Sequence, residues 1–257
     1  MKNSEFDIVH RDKLSPGRNV VDRNRKKDSE WKKFSWEWKW CREVEVSFFE
    51  KAMNLTAEED ETLNTYQTTA QQWAGKHATA GFWREEMKIF QRFLPVGKIL
   101  EVGSGGGRDA KELIAFGYEY TGTDISSNFV EVARRKNPGA TFLVQSVYDL
   151  EFSEDAQFDG FWASAVLLHI PKTKIGKALQ RIRKCVKGGG IGFISLKQGE
   201  GERLEADSLK NGRFFSYYTG KEFHEVLLKN GFEVVQMKVH PTSEKTTWLC
   251  FFVRVSK

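Results

Sequence analysis

Ile99-Leu-Glu-Val-Gly-Ser-Gly-Gly-Gly107 sets a glycine-rich turn between a short apolar run and a segment with helical periodicity. Glycine is wanted in such a turn because the backbone must reach positive φ and because a ligand has to approach bare main chain. A dinucleotide-binding fingerprint counted from Gly103 would need glycine at the sixth position. Arg108 stands there, and its side chain would obstruct the close helix–strand packing which that glycine permits. The spacing is instead GxGxG, with Gly103, Gly105 and Gly107, and Glu101 lies two residues ahead of it.

Outward from this turn, strands and helices alternate. Strands are expected at Lys98–Val102, Glu119–Asp124, Thr141–Gln145, Phe158–Ser164 and Ile191–Leu196, and helices at Arg108–Phe116, Ser127–Lys136 and Lys174–Lys187. That rhythm implies a doubly wound, mostly parallel sheet of Rossmann-like α/β type, covered on both faces. The tail adds a helix near Lys221–Lys229 and strands at Glu233–His240 and Thr247–Val255. These two strands, joined around Pro241-Thr242, read as an antiparallel pair at the sheet edge and bring the total to seven. Upstream, Thr56-Ala-Glu-Glu59 is a capping box that opens a helix carrying Leu63, Tyr66, Ala70 and Trp73. A second helix presents Trp83, Met87, Phe90 and Leu94 on one face and stops at Pro95.

The N-terminal 55 residues differ in character. Up to about residue 30 they are polar and charged, as in a loosely attached arm. Phe34, Trp36, Trp38 and Trp40 then alternate with polar residues as in a strand, while Trp31, Phe34, Trp38 and Cys41 also fit a helical stripe. The segment reads either as an aromatic flap over the core or as a lid that stacks a substrate. We therefore divide the chain into an extension, 1–55, and a main domain, 56–257.

Composition narrows the class. A formal net charge of +5 permits an anionic partner without the clustered excess of a dedicated duplex-DNA binder. The three cysteines, Cys41, Cys185 and Cys250, are far apart and form no CxxC pair, which speaks against a zinc site or a disulfide framework and for a reducing compartment. No stretch approaches the roughly 20 apolar residues of a membrane span. The expectation is a cytoplasmic protein without a membrane or metal partner.

Glu101-Val-Gly-Ser-Gly-Gly-Gly107 resembles the first motif of the class I S-adenosylmethionine-dependent methyltransferases. The resemblance implies that Gly103, Ser104, Gly105, Gly107 and Arg108 surround the cofactor's amino-acid end, with Glu101 close to its cationic groups. Asp124, at the end of the next strand, is implied as the acid that accepts hydrogen bonds from the ribose hydroxyls, with Ile125 flanking the adenine. The family usually has Asp where Ser146 stands; Ser146 and the Val147 backbone take that place, with Asp149 as a secondary candidate. Phe158 to Pro171 resembles the segment facing the methyl donor, which brings in Ala163 and Ser164. Tyr66 and Trp73 resemble N-terminal aromatic residues that close over the cofactor. Lys187-Gly-Gly-Gly-Ile-Gly-Phe-Ile194 is similar to the family's turn into the fifth strand.

Methyl transfer from a sulfonium gains mostly from positioning and exclusion of water, and a base is needed only when the acceptor must lose a proton early. His169, just past the fourth strand, is the candidate base, with packing of the loop as its alternative reading; Glu200 or Glu202, in the loop after the fifth strand, is the candidate for orienting the acceptor, with a solvated loop as the alternative. Arg213-Phe-Phe-Ser-Tyr-Tyr218 is a possible pocket wall. The basic run Lys172, Lys174, Lys177, Arg181, Arg183, Lys184 and Lys187 is either a solvated helix or a docking face for RNA. The expected function is methyl transfer to an oxygen or nitrogen of a small molecule. Rival readings are an RNA or protein methyltransferase docking through the arm and the basic helix, a non-catalytic S-adenosylmethionine-binding module, and a nicotinamide dehydrogenase. Trp162-Ala-Ser-Ala165 stands where exocyclic-amine methylators carry (Asp/Asn)-Pro-Pro-(Tyr/Phe).

Overall fold

The structure, a computed structural model, describes residues 55–77, 81–153, 157–206, 212–244 and 246–257. The expected arm and aromatic segment, apart from Leu55, lie outside the described residues. Helix α1 (Ala57–Lys76) starts on the anticipated capping box: Thr56 Oγ1 accepts from Glu59 N–H at 3.3 Å, and Glu59 Oε2 accepts from Thr56 N–H at 2.8 Å. Helix α2 (Arg84–Phe93) follows and ends ahead of Pro95.

The sheet elements then run β1 (Lys98–Val102), α3 (Ala110–Ala115), β2 (Glu119–Asp124), α4 (Ser127–Lys136), β3 (Thr141–Val144), β4 (Phe158–Ser164), α5 (Ile175–Cys185) and β5 (Val186–Lys197). A short ribbon, β6 (Glu202–Ala206) with β7 (Gly212–Ser216), precedes α6 (Gly220–Lys229), β8 (Phe232–Ser243) and β9 (Thr246–Val255). The seven-stranded sheet has the order β3-β2-β1-β4-β5-β9-β8. Pairing is parallel from β3 to β5, and β9 is antiparallel to both β5 and β8. This is the Rossmann-like, mostly parallel arrangement with an antiparallel last strand.

Strand periodicity explains how one sheet serves two cores. Leu100, Phe161, Ile194 and Phe251 face a cluster completed by Leu179, Ile182 and Phe223. Their neighbours Ile99, Trp162, Phe193 and Phe252 face the opposite cluster, with Met87, Phe90, Leu113 and Val130. Helices α5 and α6 thus cover one face, and α2, α3 and α4 the other. Gly192 sits where a Cβ would fall 2.0 Å from the Phe161 ring, so the adjacent β4 aromatic occupies the space that a side chain would need.

Several boundaries differ from expectation. The helix anticipated from Arg108 begins at Ala110, because the glycine turn continues through residues 105–109. Strand β8 continues through Pro241 to Ser243; it is the sheet edge, where a missing N–H is tolerated. The β6–β7 ribbon was unanticipated. Glu202-Arg-Leu-Glu-Ala206 is largely exposed, so no apolar alternation marks it. The ribbon is tied to α1 instead: Thr65 Oγ1 donates to Gly212 O at 2.7 Å, and Phe214 N–H donates to Thr62 Oγ1 at 2.8 Å.

No helix among the described residues is long and apolar enough to cross a membrane. Cys185 and Cys250 are free and buried.

Replacing Thr56 by Ala removes the side-chain half of the capping box. We expect a loss of about 1 kcal/mol of stability, read as a fall in Tm of about 2–4 °C by differential scanning calorimetry. An unchanged Tm would show that tertiary contacts alone hold the start of α1.

Candidate functional site

The C-terminal ends of the parallel strands open into a cavity of about 750 Å³, roofed by α1 and bounded by the β6–β7 ribbon and the start of β9. Its floor is the turn after β1. Gly103 has φ +70°, and a Cβ there would fall 2.4 Å from Val166 Cγ2. Gly105 has φ +52°, and nothing lies within 4 Å of where its Cβ would sit. The first glycine is required by the loop after β4; the second leaves bare backbone facing open space, as a closely approaching ligand needs.

Two loops are held by one acid. Asp124 Oδ2 accepts from Gly105 N–H and Oδ1 from Ser126 N–H, both at 2.8 Å. Backbone bonds reinforce the arrangement: Ser104 N–H donates to Thr123 O at 2.9 Å and Gln145 N–H to Asp124 O at 3.0 Å. Burial raises the Asp124 carboxyl to about 6, against the lowering effect of the two N–H groups. Glu101 is also buried. Burial first, then the nearby Asp109 carboxylate, push its pKa well above the usual range, opposed by a hydrogen bond from Tyr120 OH.

Arg108 Nε donates to Asp109 Oδ1 at 2.7 Å, and Trp162 Nε1 donates to Asp109 Oδ2 at 3.1 Å, so Asp109 is spent on structure. Elsewhere in the wall, Ser104 Oγ, Gln145 Oε1, Ser164 Oγ and His77 Nε2 are buried without a hydrogen-bond partner among the described residues. Each such atom costs about 1–3 kcal/mol unless a ligand pairs with it. Together with the Asp124 carboxylate they form a polar set suited to a nucleoside-type ligand.

His169 is enclosed. Its Nδ1 lies 2.6 Å from Phe214 O and its Nε2 lies 2.8 Å from Tyr66 OH. A carbonyl only accepts, so Nδ1 carries the proton and Nε2 accepts from the tyrosine. Burial, aided by Arg213 and Lys197, pushes His169 down to about 3, against the Phe214 hydrogen bond. It is therefore neutral and weakly basic. Arg213 Nη1 donates to the same Tyr66 oxygen at 3.2 Å.

Of the residues named from the sequence, Glu101, Gly103, Ser104, Gly105, Gly107 and Arg108 line the cavity. So do Asp124, Ile125, Ser146, Val147 and Ser164, together with Tyr66, Trp73 and His169. Ala163 does not: strand alternation turns it into the core, and Ala165 takes its place at the wall with φ +54°. Glu200 and Asp149 are exposed and are not among the residues lining the cavity. Sequence reasoning overlooked Gln145, His77, Ala165 and Val166. Only Gln145, adjoining Ser146, carried a usable signal: it is the polar residue at the end of a strand that leads into the site.

Outside the cavity, Glu86, His240 and Cys250 bring ligand-type atoms within 4.8 Å of one another. Lys238 Nζ already lies 2.6 Å from Glu86 Oε1, so the carboxylate has its cation.

Residues 99–190 match the family described as methyltransferase domain. An uncharacterised protein of Methanocaldococcus jannaschii is 29% identical over 160 residues, covering 60% of this chain and 73% of that protein. A ubiquinone biosynthesis O-methyltransferase of Xanthomonas campestris is 32% identical over 109 residues, 40% of this chain; the match spans only 44% of that enzyme's length. Among solved structures, the 1,6-didemethyltoxoflavin-N1-methyltransferase of Burkholderia thailandensis, crystallised with 1,6-didemethyltoxoflavin and S-adenosylhomocysteine, superposes with a TM-score of 0.62 at 23% identity. It covers 79% of this chain and 92% of its own.

The raised pKa of Asp124 predicts opposite responses of the free and the ligand-bound protein. An acid whose folded pKa lies above its unfolded value destabilises the fold when ionised, and that penalty is relieved as pH falls through about 6. Ribose hydroxyls, in contrast, need the ionised acceptor. Lowering the pH from about 7 to about 5 should weaken S-adenosylhomocysteine binding in calorimetry, and in Asp124→Asn this pH dependence should flatten. An equal slope in both proteins would place the titrating group elsewhere.

Proposed function

We propose that the chain is a class I S-adenosylmethionine-dependent methyltransferase, as the match of residues 99–190 to a methyltransferase domain supports, and that it methylates an oxygen or nitrogen of a small molecule held in the same cavity. The observation that carries this reading is that one cavity is lined both by the Gly103–Gly107 turn and by the Tyr66–His169 pair. Its volume of about 750 Å³ falls in the range of small-molecule sites, and α1 closes it from above.

The wall residues fit the cofactor. The Asp124 carboxylate takes the ribose hydroxyls, and Ile125 packs beside the base. Gln145 Oε1, the orphaned acceptor adjoining Ser146, takes the adenine amine in place of the family's usual Asp. Glu101 meets the cofactor's ammonium, whose charge favours the ionised form that burial opposes. When bound, S-adenosylmethionine supplies a methyl on cationic sulfur: an acceptor lone pair forms the new bond as the carbon–sulfur pair returns to sulfur.

The residues around that event act by positioning. His169, with its weakly basic ring and its Nε2 engaged, orients the Tyr66 hydroxyl rather than abstracting a proton. Tyr66 in turn holds one side of the acceptor space, and the aromatic rings of Trp73 and Phe215 exclude water from it. Small-molecule acceptors are also what the O-methyltransferase relative and the N-methyltransferase structural neighbour are named for.

An RNA or protein acceptor has less support. Lys172 pairs with Glu222 at 2.6 Å, Lys174 with Glu59 at 2.7 Å and Lys187 with Asp159 at 2.6 Å, so part of the basic run is occupied within the fold.

Incubating the protein with methyl-labelled S-adenosylmethionine and fractionated cell extract should place label in low-molecular-weight material. Label in RNA or protein would replace the proposed acceptor class, and binding without any turnover would favour a non-catalytic module. Asp124→Ala should weaken S-adenosylhomocysteine binding by about 10–100-fold; unaltered affinity would defeat the site assignment. Tyr66→Phe keeps the ring and removes the hydroxyl. It should lower kcat by about tenfold with little change in cofactor affinity, whereas an equal loss in both would assign the hydroxyl to cofactor binding.

A further inference from the structure

Where β3 runs out, Gln145, Ser146 and Val147 line the cavity beside Asp124. The pairing of β2 with β3 sets Val144 opposite Asp124, and Gln145 N–H donates to Asp124 O at 3.0 Å. A nucleoside whose ribose is held by Asp124 has its base over these neighbouring residues.

This end of the cavity has no carboxylate to spare. Among the described residues the acids that line the cavity are Glu59, Glu101, Asp109 and Asp124. Glu101 and Asp109 stand next to the glycine turn, and Asp124 accepts from Gly105 and Ser126 N–H. Glu59 has both oxygens engaged: Oε2 accepts from Lys174 Nζ at 2.7 Å and from Thr56 N–H at 2.8 Å, and Oε1 accepts from Tyr148 OH. Asp149 is exposed and does not line the cavity. The side chains left to meet the edge of a base are those of Gln145 and Ser146.

Both can give or take a hydrogen bond. Gln145 Oε1 is buried without a partner, and no group among the described residues bonds its Nε2. Gln67 shows the contrast: its Oε1 accepts from Ser126 Oγ at 3.0 Å and from Asn128 N–H at 3.2 Å, which fixes the orientation of its amide. A half-turn exchanges the acceptor and the donor of an amide with almost no change of shape. Because the protein leaves the Gln145 amide unpaired, a guest can select which end it meets. Ser146 Oγ accepts from Tyr148 N–H at 3.2 Å and keeps its own proton and a second lone pair.

We propose that the site binds a 6-oxopurine nucleoside about as readily as an adenine nucleoside, and that Gln145 sets this tolerance. Its Oε1 takes an exocyclic amine; turned over, its Nε2 donates to an exocyclic carbonyl. The Ser146 hydroxyl follows suit at the neighbouring ring nitrogen, donating to adenine N1 or accepting from the N1–H of the oxopurine. A carboxylate in place of the amide could only accept, and would reject the carbonyl. This rests on the methyltransferase reading and specifies the nucleoside selectivity of that same cavity.

The probes are S-adenosylhomocysteine and its deaminated counterpart S-inosylhomocysteine, titrated into the full chain by calorimetry at about pH 7.5. Their dissociation constants should agree within about tenfold. In Gln145→Glu the ratio should shift against S-inosylhomocysteine by about 10–100-fold. In Gln145→Leu, which offers neither donor nor acceptor, both affinities should fall together and the ratio should stay near its starting value. A preference of the unmutated protein for S-adenosylhomocysteine above about tenfold overturns the proposal, and this measurement decides alone if a variant does not fold. An unchanged ratio in Gln145→Glu also overturns it, by placing the amide away from the edge of the base. So does a loss confined to S-adenosylhomocysteine in Gln145→Leu. Absence of S-adenosylhomocysteine binding to the unmutated protein would instead sink the underlying methyltransferase reading.

Discussion

The Asp124 carboxylate, buried at the end of β2, organises the site by accepting the backbone N–H of Gly105 on one side and of Ser126 on the other. A negative charge removed from water must find donors, and in this fold the nearest are the main chains of the two adjacent loops. Satisfying it draws the glycine turn after β1 against the start of α4. The same acid then presents its remaining acceptor capacity to the cavity. The geometry of both loops therefore depends on one group, and its raised pKa reflects the incomplete compensation that the backbone donors provide.

Around this anchor, the site distributes its charges by function. Glu101, Asp109 and Asp124 line the part of the cavity next to the glycine turn. On the ribbon side stand Lys197 and Arg213, stacked against Phe215 and Trp73. Between the two halves lies the Tyr66–His169 pair, neutral and hydrogen-bonded at both imidazole nitrogens. The cavity wall therefore changes in charge from the glycine turn to the ribbon.

The fold was legible because its signals are local and repeated. Strand periodicity in β1, β4 and β5, the Thr56 capping box and the Pro95 stop each arise from neighbours in sequence, and the structure retains them. The β6–β7 ribbon escaped notice because β6 is largely exposed, without apolar alternation, and the ribbon is tied to Thr62 and Thr65 on distant α1. The ribbon matters for function, since it brings Arg213 and Phe215 to the cavity. Glu200 shows the limit of position in sequence: this acid just past a strand end is exposed and is not among the residues lining the cavity.

By itself, the sequence determined the alternation of strands and helices, the bare-backbone turn at Gly103–Gly107 and the acid at the end of the second strand. These follow from steric and periodic rules that act within a few residues. Only the tertiary structure decided that His169 is a neutral support for Tyr66, that Ala165 rather than Ala163 meets the cavity, and that Lys197 and Arg213 share one ring. Those outcomes depend on burial and on partners tens of residues away, which set protonation and side-chain direction only once the chain has closed on itself.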